Sequence, residues 1–293
     1  MGKRNHGKTA FTKYAIGKYL SDKSVYNVFA PREGTCDVKE FHRTLQDVTG
    51  LTGSASEIIN ALPHNSIVQI HDLELWWERT DQGLGIINQI NDLIDRYGDT
   101  CMFVISMNPF AYRIINQLVK LENYLISTIE CDKFSAENIK DLILLRHKSS
   151  GLSFEWRDQH ESELSTLKTA QLFSHYFEYT GGNPGVALCG WLTHISGIDG
   201  KTISIRTPHK PDIHILSNLS ADHRIVLAQI IIHKRTTLLK LGRVMNCDEM
   251  QADKLIRSLK RSGLVVESPP GTFALNIYVE PFVSKFLEEN RMI

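Results

Sequence analysis

No apolar run in this 293-residue sequence approaches the length needed to cross a bilayer, about 20 residues. Net charge is missing as well. Lys and Arg number 33 and Asp and Glu number 33, so contact with a polyanion would have to come from local clustering. Five cysteines, at 36, 101, 131, 189 and 247, form no close pair. That spacing gives neither a disulfide framework nor a CxxC metal site, and it fits a reducing, cytoplasmic setting. The opening MGKRNHGKT is too polar for a signal peptide. What remains is ordinary globular material, 42% hydrophobic and 23% charged, long enough for two or three small domains.

The first chemistry-bearing pattern stands at the start. Residues 2–9, GKRNHGKT, match GxxxxGK[ST] without a mismatch. In such a loop the glycines Gly2 and Gly7 let backbone N–H groups turn inward around phosphates. Lys8 supplies a mobile cation to them, and the Thr9 hydroxyl ligates Mg²⁺. The next residues place Phe11, Tyr14, Ala15 and Tyr19 at helical spacing, so a helix should begin with its N-terminus facing the phosphates.

Apolar runs at 26–30, 66–70 and 101–105 read as strands, and 125–131 as a further one. Polar residues follow the inner runs: His71, Asp72 and Glu74 after one, Ser106 and Asn108 after the next. Open parallel sheets bind ligands outside such strand ends. Asp72 is the expected Mg²⁺ partner and Glu74 the expected base. A register one residue earlier would instead put His71 and Asp72 in the acidic pair. From Ser135 the chain reads as helical, with Ser135 as N-cap and Ile139, Leu142, Ile143 and Leu145 on one side. A second helix over 161–179 leads into GGNPGVAL at 181–188.

Taken in order, these motifs resemble AAA+ P-loop ATPases of the STAND and initiator-like groups over residues 2–192. The resemblance implies an α/β, three-layer parallel sheet with its first, central strand missing from this chain, followed by a helical lid. It implies ATP and Mg²⁺ as ligands. Asn108 then takes the place of a water-positioning polar residue, and Gly182 and Pro184 begin a lid helix over the nucleotide. Two features depart from the pattern. Gly185 stands where many relatives carry an arginine, and only Arg113 and Arg146 offer themselves as arginine fingers.

Beyond a Gly- and Pro-containing stretch at 197–213, three helices, a two-stranded hairpin around Pro269-Pro270-Gly271 and a last helix form a winged-helix pattern. The expected division is a P-loop ATPase core at 1–134, a helical lid at 135–200 and a winged-helix domain at 214–293. On the third of these helices Lys254, Arg257 and Arg261 share an outward face, a stripe suited to DNA phosphates or simply to solvent. The leading expectation is an ATPase switch that moves the winged helix. Its alternatives are a DNA-binding initiator or transposition helper whose assembly ATP controls, and a degenerate scaffold that does not hydrolyse ATP. A homo-oligomer and a sensor or membrane region upstream of Met1 complete the partners considered.

Overall fold

The computed structural model describes residues 1–210 and 214–293. Its first unit is a parallel sheet in the order β1 (Val25–Phe29), β2 (Ser66–His71), β3 (Cys101–Ile105). All six residues of β2 are buried, as a continuous apolar run between two parallel neighbours should be. Val28 pairs with Ile70 and Ile70 with Ile105, so the three strands end at one level. The expected strand positions at 26–30, 66–70 and 101–105 are thus matched to within one residue.

Helix α1 (Lys8–Tyr19) precedes the sheet. Helices α2 (Val38–Thr49), α3 (Ala55–Asn60), α4 (Gly85–Tyr97) and α5 (Pro109–Val119) connect and cover it. Their starts are legible: Asp37 caps α2, Ser54 and Glu57 close a capping box on α3, and Asn108 caps α5 with proline next.

Residues 125–131 form no strand, contrary to expectation. The physical reason is the lack of a ladder partner. Among the described residues nothing pairs with the outer edge of β3. The chain's first residues reach between that edge and 125–131: the Met1 amino group donates to Ile129 O, Cys131 N donates to Met1 O at 2.7 Å, His6 Nδ1 meets Cys131 O at 3.2 Å, and Gly2 N donates to Met107 O at 3.3 Å. Ile126, within the segment, is fully exposed. Helix α1 shows the same deficit, burying none of its residues and leaving Phe11, Tyr14 and Tyr19 in solvent.

The second unit begins at α6 (Ala136–Lys148), capped by Ser135 as expected. Its buried side carries Ile139 and Ile143, whereas Leu145 is exposed. Strands β4 (Ser153–Trp156) and β5 (Gln159–His160), helices α7 (Thr166–Thr180) and α8 (Pro184–Thr193), and strands β6 (Ile195–Asp199) and β7 (Thr202–Ile205) follow. The strands form one sheet in the order β5-β4-β7-β6, so this unit is not purely helical. Strands β6 and β7 form an antiparallel hairpin within and just before the Gly- and Pro-containing stretch, and β7 also pairs with β4. Pro211 and Ile213 lie outside the described residues.

The C-terminal unit contains α9 (His214–Ser217), α10 (Ala221–Ile232), α11 (Leu238–Met245), α12 (Glu249–Arg261), the antiparallel pair β8 (Val265–Glu267) and β9 (Phe273–Leu275), and α13 (Glu280–Glu289). Gly263 ends the α12 turn at φ 73°. On α10 Leu227, Ala228, Ile231 and Ile232 are buried, while Ile225 is 38% exposed.

Two apolar cores hold these elements. One runs without a break from Val28 and Phe41 on the parallel-sheet side to Leu227, Ile256 and Leu287 of the C-terminal unit. The other, built on Ile139, Trp156, Phe173, Tyr176 and Trp191, belongs to α6, α7, α8 and the small sheet. Among the described residues no helix is long and apolar enough to cross a membrane.

Candidate nucleotide site

The loop 2–9 bends where its sequence allows. Gly7 caps α1 at φ 83° with open space where a Cβ would stand, so glycine is favoured there for its backbone angle alone. Lys8 folds back over the loop: its Nζ donates to Gly2 O at 2.7 Å and Lys3 O at 3.2 Å. Thr9 is exposed in the first turn of α1.

The acidic edge lies close by. Asp72 follows β2 directly in the left-handed region, φ 49°, and Glu74 sits in the short 3₁₀ turn Leu73–Leu75. Ser106 Oγ donates to nothing on Asp72 but accepts its backbone N–H at 3.1 Å. Glu74 is 2% exposed, and Asn108 N donates to its Oε2 at 3.1 Å. Burial first, then the charge of Asp72, raises the Glu74 carboxyl above its ordinary range, with Lys8 pulling the other way. Glu74 lines one small space together with Lys3 and Arg4, which brings the loop and the acidic turn together. His71 is turned aside: it stacks on Phe29 at 4.2 Å and its Nε2 meets Asn27 Oδ1 at 3.0 Å.

The GGNP turn lies against the loop. Asn183 caps α8, accepting from Gly185 N and Val186 N, and its Nδ2 donates to Arg4 O at 2.9 Å. Gly185 N donates to Asn5 O at 3.1 Å, and a Cβ on Gly185 would stand 2.6 Å from Asn5 Cβ and 2.9 Å from Asn5 O. No side chain fits there, which is a steric reason for the missing arginine. Gly182 O accepts from Phe134 N at 2.8 Å, and Pro184 is buried at the first helical position.

Sequence reasoning missed the C-terminal unit's part in this site. Lys234, just past α10, donates to Asp72 Oδ2 at 2.5 Å. Asn108 Nδ2 donates to Ile231 O and Ile232 O, at 3.3 and 2.8 Å, so its amide is turned to the end of α10. Arg4 Nη1 meets Glu280 Oε2 and Leu275 O, each at 3.2 Å, and Lys3 Nζ meets Glu288 Oε1 at 2.5 Å. Trp77 packs on His233 at 4.9 Å, and Trp76 on Phe41 at 5.3 Å. One tryptophan thus serves the sheet's own core and the other faces the C-terminal unit. The space enclosed by Lys3, Arg4, Glu74, Asn108, Lys234 and Glu280 is about 20 Å³, room for one water molecule.

The basic stripe on α12 is exposed at Lys254, Arg257 and Arg261. Arg257 is paired with Asp253 at 2.6 Å, and the adjacent Lys260 with Glu267. Arg113 and Arg146 are both exposed, on α5 and α6.

The parallel sheet with its covering helices, followed by two further units, is a fold shared with solved structures. Two solved structures carry the comparison. The ORC2 protein of Aeropyrum pernix, in its ADPNP and ADP complexes, is similar at a TM-score of 0.54 and 14% identity, covering 99% of this chain and 87% of that one. Cdc6p from Pyrobaculum aerophilum is similar at a TM-score of 0.51 and 12% identity, with the same coverage of both chains. No protein-family model and no curated protein matches the sequence.

Proposed function

We propose that this chain is an ATP-binding module of AAA+ type, in which nucleotide state sets the position of a C-terminal winged helix formed by residues 214–293. The observation that carries the reading is the convergence of three separate motifs at one end of the parallel sheet. Arg4 of the loop 2–9 accepts from Asn183 at the start of α8 through its carbonyl, and it lines one space with Glu74 of the acidic turn. Chance matches to a short loop pattern would not assemble in this way.

In this reading the inward N–H groups of the loop and Lys8 grip the phosphates, and Gly182 and Pro184 lie beside the nucleotide. Thr9 and Asp72 would hold Mg²⁺. Asp72 suits that role, because its carboxylate already bears on a cation, the Lys234 ammonium, at 2.5 Å. When bound, the ion neutralises charge on the β- and γ-phosphates. Glu74 accepts the proton of an attacking water and Asn108 orients that water, which requires Asn108 to leave the carbonyls of α10. The division into core at 1–134, lid at 135–200 and winged helix at 214–293 is part of the proposal. Binding of ATP by equilibrium dialysis, and phosphate release, test it with Lys8→Ala as comparison. Loss of at least tenfold in affinity is expected, since the ammonium meets the phosphates directly. Equal affinity of parent and variant would remove the reading.

A second reading, assembly on DNA under ATP control, is favoured by the exposed Lys254, Arg257 and Arg261. Salt-dependent duplex binding lost in the triple Ala variant would support it.

A further inference from the structure

Several polar groups around the proposed nucleotide site are engaged with the protein itself in this conformation. Lys8 is spent on two carbonyls of its own loop. Asn108 clasps the last carbonyls of α10. Arg4 and Lys3, within the loop, are held by Glu280 and Glu288 of α13. Asp72 is held by Lys234. A space of about 20 Å³ between them is far too small for a nucleoside triphosphate.

The Asp72–Lys234 pair differs from the other contacts in its construction. Both residues sit at positive φ, 49° and 66°, where a non-glycine backbone is held at a cost by its surroundings. The pair is only about a quarter exposed on each side, so water and salt screen it less than a surface ion pair. It also joins two elements 162 residues apart.

Resting on the nucleotide-site reading above, we infer that Lys234 occupies the divalent cation's place on Asp72 and latches the site shut, so that Mg·nucleotide enters only by displacing it. The ammonium lies on Asp72 Oδ2 at 2.5 Å, so a divalent cation taking that oxygen meets a like charge at contact distance. Binding the second therefore requires the C-terminal unit to give up the first. The fraction of molecules with Lys234 detached then scales the apparent affinity. Because His233 precedes Lys234 and packs on Trp77, detachment also changes the surroundings of that indole.

The test compares the full chain with Lys234→Met, which keeps the stem and removes the ammonium, and with Lys234→Arg, which restores a cation. Mg·ATP affinity is measured by titration, together with acrylamide quenching of Trp77 emission in the absence of nucleotide. For the quenching, the other three tryptophans are replaced by Phe in every protein compared. Lys234→Met should bind Mg·ATP about tenfold more tightly than the parent, with Trp77 more open to quencher. Lys234→Arg should stay near the parent in both. The gain should shrink when EDTA removes Mg²⁺, since the competition is for the cation's place. Equal Mg·ATP affinity in parent and Lys234→Met, with binding still lost in Lys8→Ala, would overturn the latch and leave the site standing. Binding lost in none of the variants, Lys8→Ala included, would remove both.

Discussion

Single residues in this chain have roles that differ in how far sequence could show them. Gly7, Ser135, Asn183 and Asp248 cap helices where their types and spacing say they should, because capping depends on neighbours within three residues. Asn108 is different. Its oxygen caps α5 through Ala111 N at 2.8 Å, a local act. Its nitrogen reaches carbonyls more than 120 residues away, and no sequence window contains both partners. His233 is a similar case. Its Nδ1 meets Glu74 O at 3.3 Å, and burial lowers its pKa from 6.5 to about 4. A base kept neutral in the folded state takes up less proton than the unfolded chain between those two values, so stability is full above about pH 6.5 and falls as pH drops toward 4. His6, His71 and His147 are lowered in the same direction, and Glu74 and Glu280 are raised and act in opposition. Subtracting a His233→Phe variant isolates the one group. Urea unfolding at pH 7 and pH 5 should show the parent losing about 2 kcal/mol more than the variant. Equal losses would mean that His233 is not held neutral.

Elements were legible where their burial pattern is one-sided or complete, and obscure where pairing decides. Strand β2 announces itself as an apolar run, and β1 and β3 follow beside it. Strands β4 and β7 are four residues each, too short for a periodic signal, and exist because Phe154, Trp156, Ile203 and Ile205 face one core. Residues 125–131 fail in the opposite sense. Their composition suits a strand, but a strand needs a neighbour, and among the described residues Met1 alone exchanges backbone bonds with them across that edge. The outer edge of β3 is open among the described residues, and Met102 on β3 and Ile129 in the segment are exposed. An unpaired, apolar edge of this kind invites pairing. A five-residue Val/Ile strand fused ahead of Met1 should therefore fill it. Amide exchange of β3 and of 125–131 should slow at least tenfold, and stability should rise by about 2 kcal/mol, since each new ladder bond adds about 1 kcal/mol less the cost of ordering the strand. Unchanged exchange at both segments would show that the gap does not accept a strand. The same filling should cover part of the apolar side of α1, reducing any self-association seen by sedimentation.

At the scale of the whole molecule, the division into cores constrains how the proposed switch can work. The parallel sheet and the C-terminal unit share one continuous core, whereas α6, α7, α8 and the small sheet keep their own. The sequence suggested three units of equal standing, because linkers and motif order mark chain segments and do not reveal which segments bury surface together. A C-terminal unit that shares a core cannot simply detach. Exposing buried Ile230 and Ile231 beside Phe110 would cost on the order of 2 kcal/mol per side chain, so nucleotide would tilt the unit about this seam and leave the seam buried. Tryptophan placement makes the arrangement measurable. Of the four tryptophans, Trp76 and Trp77 lie in the shared core and Trp156 and Trp191 in the other. Replacing either pair with Phe leaves a protein whose emission follows one core alone. Because a deleted pair also weakens its own core, transitions are compared after adding Leu227→Ala or Leu172→Ala to both reporters. Leu227→Ala, in the shared core, should lower the transition seen by Trp76 and Trp77 by about 3 kcal/mol, with the circular dichroism of α10 and α13 lost in that same step. The transition seen by Trp156 and Trp191 should move far less, and Leu172→Ala should reverse the pattern. If Leu227→Ala left the Trp76 and Trp77 transition in place while the C-terminal helices melted early, the shared core would not be a cooperative unit, and the switch would be free to work by full release.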